Sequence, residues 1–164
     1  MKKVLLTPFL LLALSASAAY DVKDISLGAK EHDVRRQFPS AHCKALEWQS
    51  HAADRRCDES RVSLGGVEVK VTFYLKKDAV EAFDVRFDTR DLDRFVAFLK
   101  KRYGAPQSES RDNIEREGKK ARQIYKALWE RGAERAVLTA QLEKRRGSLL
   151  VSRGDFEEEI YRVR

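Results

Sequence analysis

The chain has 164 residues, 43% of them apolar and 36% charged, with 33 Lys plus Arg against 26 Asp plus Glu and a net charge of +7. That length fits one ordinary domain with a real apolar core. Positive and negative residues are interleaved, which argues against the basic stripe of a nucleic-acid binder, and no stretch approaches the roughly 20 apolar residues of a membrane-spanning helix.

In chain order, Lys2 and Lys3, the apolar run Val4 to Leu14, and the small residues Ser15 to Ala19 have the three-part form of a secretory signal. Ala16-Ser17-Ala18 fits the small-x-small pattern before a cleavage site. The sequence therefore predicts a signal peptide over 1–19 and one α+β domain over 20–164, with halves of roughly 20–88 and 89–164. No cysteine stands near the cleavage site, so the expectation is a soluble, unlipidated protein of the periplasm or the cell exterior.

Residues 26–39 read as a short helix, with Val34 and Phe38 on one face and Pro39 as its stop. Cys43 and Cys57 are the only cysteines. In an oxidising compartment they read first as a disulfide, worth roughly 3 kcal/mol for a loop of about 15 residues. The alternative is a metal site from His42, Cys43, His51 and Cys57, two imidazoles and two thiolates, although the spacing matches no standard finger. Residues 44–49 read as a short strand.

A hairpin follows. Residues 61–64 and 67–75 flank Gly65-Gly66, and Val67, Val69, Val71, Phe73 and Leu75 alternate with Glu68, Lys70, Thr72 and Tyr74. Residues 80–87 return with Phe83, Val85 and Phe87 inward and Asp84 and Arg86 outward. Asp88 or Thr89 then caps an amphipathic helix bearing Leu92, Phe95, Val96, Leu99 and Tyr103, closed by Gly104 and Pro106. The polar stretch 107–120 reads as a mobile loop. Strands are expected over 122–130, 135–142 and 148–153, and then either a short helix through Phe156, Ile160 and Val163, with Asp155 and Glu158 resembling a capping box, or a closing strand.

The fold class is thus α+β: an antiparallel sheet packed by helices on one face, read as two tandem units of helix plus β-meander. The segment from Asp33-Val34 to Phe38-Pro39 with its strands to Phe87, and Leu92 to Pro106 with its strands to Arg153, resembles the fold shared by the small SmpA/OmlA-type outer-membrane assembly lipoprotein and β-lactamase inhibitor protein. That resemblance implies a protein-binding module whose sheet face is a contact surface. The chain departs from the assembly lipoprotein in lacking its lipidation cysteine, and no functional residue transfers one by one.

No phosphate-binding glycine loop, nucleophile elbow or H-E-x-x-H pattern is present. His32, His42 and His51 read as surface residues, and no cofactor is expected. The candidate partner-binding residues are Tyr74, Arg86, Tyr125 and Trp129, aromatic and arginine side chains of the kind that dominate interfaces. The strand over 122–130 allows two assignments. Either Tyr125 and Trp129 face outward with Ile124 and Leu128 inward, or the reverse. The functional expectation is a non-enzymatic module binding another envelope protein, in envelope assembly or inhibition of a partner. The alternatives are an enzyme whose site is assembled from distant residues and a protein binding metal or anionic envelope polymers.

Overall fold

A computed structural model describes residues 19–160; the expected signal peptide up to Ala18, and residues 161–164, lie outside the described residues. A small hairpin, β1 (Asp21–Val22) and β2 (Ile25–Ser26), precedes helix α1 (Glu31–Gln37). Four strands follow: β3 (His42–Ala45), β4 (Arg55–Leu64), β5 (Val67–Lys76) and β6 (Ala79–Phe87). Helix α2 (Leu92–Tyr103) leads into β7 (Ser108–Arg116), β8 (Lys119–Arg131), β9 (Glu134–Gln141) and β10 (Arg146–Arg153), and α3 (Phe156–Glu159) ends the described chain. The eight long-sheet strands are all antiparallel, in the order β3-β4-β5-β6-β10-β9-β8-β7. The last strands of the two meanders, β6 and β10, therefore pair at the centre of the sheet.

Period-two patterning decides which side chains meet. Val67, Val69, Val71, Phe73 and Leu75 of β5 join Phe83, Val85 and Phe87 of β6, Leu149 and Val151 of β10, and Ala136, Leu138 and Ala140 of β9 in one buried cluster. Val34 of α1 and Phe38 at its C-terminal cap, and Leu92, Phe95 and Leu99 from α2, belong to the same cluster. The Phe95 ring lies 4.6 Å from that of Phe87, and Phe38 lies 5.6 Å from Phe73. α3 is on the other face, so helices pack on both sides of the sheet and not on one as expected. Phe156 and Ile160 pack there with Tyr74, Ala82 and Ala53, against half-buried Leu150 and Trp48, because that is where the outward side of the sheet is apolar enough to hold them.

Four sequence expectations need correction. The short strand expected over 44–49 is β3, His42–Ala45, and residues 46–49 lie beyond it. Residues 108–116 form strand β7, paired with β8 from Ser108↔Leu128 to Arg116↔Lys119, and are no loop. Pairing with β8 along one side holds this charged stretch as a strand, and its single apolar residue, Ile114, is exposed. α1 is shorter than 26–39, since Ser26 pairs in β2 and the Lys30 N–H donates to Asp33 Oδ2 (3.2 Å) at the helix start. Asp155 makes no side-chain cap to α3. The capping expected of Asp88 or Thr89 is met one step earlier: the Asp88 carboxylate accepts the Arg90 N–H (2.9 Å) and caps the short 3-10 turn Thr89–Asp91, while Asp91, at the start of α2 itself, makes no side-chain cap. Gly104, with φ of 85°, closes α2 by donating its N–H to Lys100 O (2.9 Å).

Candidate functional site

Cys43 and Cys57 stand directly opposite each other on β3 and β4 and form a disulfide, with a Cα–Cα distance of 3.9 Å. Both sulfurs are committed to the bridge, so the alternative zinc set loses its two thiolates. Glu31 lies beside the bridge. Its carboxylate is clamped by Arg55 (2.6 Å from Nε) and Arg35 (2.8 Å), and the Arg55 hydrogen bond holds it below the usual carboxylate range.

Trp129 and Tyr125 face the helices. Trp129 is 1% exposed, its indole N–H donates to Gly104 O (2.9 Å), and its ring meets Tyr103 edge-on. Tyr125 is buried on the same side. It donates its hydroxyl to Glu109 (2.6 Å) and carries Arg111 5.7 Å over its ring. Burial, followed by that hydrogen bond, pushes the Tyr125 hydroxyl up, and burial takes Tyr103 up to about 12. The outward assignment of Tyr125 and Trp129 is therefore corrected. The strand's own alternation puts half-buried Ile124 and Leu128 outward, because the large rings fill the space under α2 that smaller side chains would leave empty.

Tyr74 and Arg86 do lie on the open face, opposite α1 and α2. They line a groove of about 980 Å³ with Lys70, Asp84, Val137, Thr139, Gln141, Lys144, Arg146, Ser148, Leu150 and Phe156. Tyr74 is largely covered by Phe156, 5.5 Å between rings. Arg86 is exposed, and its Nε reaches Asp84 Oδ2 at 2.7 Å. The other Asp84 oxygen accepts the Ser148 hydroxyl at 2.5 Å. Asp84, 8% exposed, thus ties β6 to β10 through Ser148 and orients Arg86.

One rim of this face is a clasp. The Trp48 indole donates to Ile160 O (2.8 Å) and the Ser50 hydroxyl to Glu159 O (3.2 Å), which strap the loop after β3 to α3. Arg135 pairs with Glu157 (3.1 Å) and so links β9 to α3. Asp84 reads from the sequence as an outward residue, and it pairs with Arg86 and Ser148; Ser148, Leu150 and the cations Lys144 and Arg146 were not singled out. Outward alternation of Ser148 and Leu150 was readable, but only the β6–β10 pairing, far apart in sequence, sets them beside Arg86.

Chemically, the groove offers cationic groups, hydroxyls and an apolar strip. The Ser148 hydroxyl donates its proton to a carboxylate already engaged by an arginine, a poor arrangement for a nucleophile, which needs a free base within reach. Comparison of the chain with protein-family models, curated proteins and solved structures finds no match in any of the three.

Proposed function

We propose that the chain is an exported, non-enzymatic binding module of the periplasm, built from two copies of a helix-plus-meander unit, that captures another envelope protein on its open sheet face. The observation that carries this reading is the groove over β5, β6, β10 and β9, with Lys70, Arg86, Lys144 and Arg146 beside Leu150 and Val137. Exposed cations next to an apolar strip are what a protein interface requires: a desolvated centre and charges that set orientation. The strand order supports the two-unit reading, since helix-then-four-strands occurs twice and the two sets meet through their last strands. The resemblance to the assembly-lipoprotein and β-lactamase-inhibitor fold fits the same role. The signal-like N-terminus and the disulfide fit export.

The test is chemical cross-linking of the chain from Tyr20 onward in the cell envelope, with partners identified by mass spectrometry. A partner enriched by the native protein and lost with Lys70→Glu/Lys126→Glu, where Lys126 is an exposed cation beside Thr139 on the neighbouring β8, but kept with Arg36→Glu on α1, is the expected outcome. Equal recovery with both variants would place the contact elsewhere on the molecule.

A further inference from the structure

We infer that the occupant of the open face is an acidic amphipathic helix of another protein, about three turns long and lying across the strands; this rests on the reading of that face as the binding surface. Cross-strand register sets Lys70, Arg86, Ser148, Thr139 and Lys126 in one row over β5, β6, β10, β9 and β8. Strands are spaced about 4.8 Å apart, so this row spans about 19 Å. The adjacent row on the same face is Asp84, Leu150, Val137 and Leu128. Its three apolar members cover about 10 Å, close to the rise between residues i and i+7 of an α-helix. The two rows lie about 7 Å apart, within the width of one helix. A helix seated there places apolar residues at i, i+4 and i+7 on Leu150, Val137 and Leu128 and its flanking residues over the cations.

Charge decides the sign of those flanking residues. Arg86 is matched by Asp84. Lys70 stands directly opposite Arg86, and like charges opposed across a ladder destabilise a sheet. Among the described residues, Lys70, Lys126, Lys144 and Arg146 form no ion pair. Acidic residues on a partner relieve this repulsion.

The backbone decides the conformation. Ladders on both sides already pair the backbone of β6, β10, β9 and β8. An extended segment laid over them would find no backbone partners, whereas a helix satisfies its own. A lipid is a poorer fit. Fully buried Val71, Phe83, Val85 and Leu138 fill the space beneath the sheet, leaving no tunnel for an acyl chain.

The probe is a fluorescein-labelled helical peptide of about 14 residues, with Leu at i, i+4 and i+7 and Glu beside them. It is titrated by fluorescence anisotropy against the chain from Tyr20 onward. Controls are a scrambled peptide of equal composition and phosphatidylglycerol vesicles. The expected result is binding about tenfold tighter for the matched peptide than for the scrambled one. It should weaken about tenfold in Lys70→Glu/Lys126→Glu and fall between about 20 and 150 mM salt. Thermal unfolding confirms that the double variant is folded. Equal affinity for the scrambled peptide overturns the inference, as does binding to vesicles without binding to the peptide. If envelope cross-links still depend on Lys70 and Lys126 in that case, the open face remains the binding surface and only its occupant is wrong. If neither assay depends on them, both readings fail.

Discussion

Trp129 shows how one side chain divides packing from recognition. It is fully enclosed and holds the turn after α2 through Gly104. Trp129→Ala is therefore expected to cost about 3–5 kcal/mol, the usual range for truncating a buried aromatic, and denaturant unfolding by circular dichroism measures it. Retained stability would put Trp129 outside the core. Gly147 makes the opposite point. A Cβ there would lie 2.2 Å from the Phe87 ring, its direct neighbour across β6 and β10. Gly147→Ala should destabilise by about 1–3 kcal/mol, the typical cost of overpacking, and Phe87→Leu should recover part of the loss. Glu31 adds a pH dependence. Its folded pKa is depressed, chiefly by Arg55. Its contribution is therefore present above the ordinary glutamate value of about 4.3 and is lost as pH falls through the lower, folded value. Thermal scans across that acidic window should show a shallower loss of stability in Glu31→Gln than in the native protein.

At the scale of elements, the two sheet edges are managed differently. β3 offers only four residue pairs to β4, and the Cys43–Cys57 bridge lies within them. Cys43→Ser/Cys57→Ser should lose roughly 3 kcal/mol in the chain-entropy model. Amide exchange should rise in β3 well before it rises in β5 or β6, and uniform loosening would contradict the edge-specific role. β7 is protected by charge, as its Ser108–Arg116 sequence is polar at nearly every position, the pattern that discourages edge-to-edge pairing. A bulge in β4 is held by Glu59, whose carboxylate accepts the N–H groups of Ser60 (2.9 Å) and Arg61 (3.2 Å) and the Ser40 hydroxyl (2.6 Å). That single acid reconciles the register of β4 with the glycine turn, where Gly65 lies against the Phe98 ring.

For the whole molecule, the two faces of one sheet do different work. The helix side carries the aliphatic and aromatic core, and the open side carries the groove, clasped at one rim by α3 and the loop holding Trp48. If the groove is the binding face, partner affinity should fall with ionic strength while thermal stability changes little. The cations Lys70 and Lys126 are solvent-exposed, whereas the core contains few charges. Salt titration of the captured complex beside a melting curve separates the two effects, and parallel loss of both would indicate that salt acts on folding.

Local order alone determined much of this protein. The alternation of Val67 to Leu75, the glycine hairpin, the apolar stripe of α2 with its Gly104 close, and the two lone cysteines specify their elements because neighbours along the chain supply the signal. Composition did not reveal β7, since a charged edge strand draws its stability from the partner ladder and not from its own side chains. The orientation of Tyr125 and Trp129 needed the position of α2, for a strand's period of two fixes which residues share a face but not which face is buried. The groove was decided last of all. Lys70, Arg86, Ser148, Thr139 and Lys126 form a row only because β6 pairs with β10, a contact between residues more than sixty positions apart that no local pattern encodes.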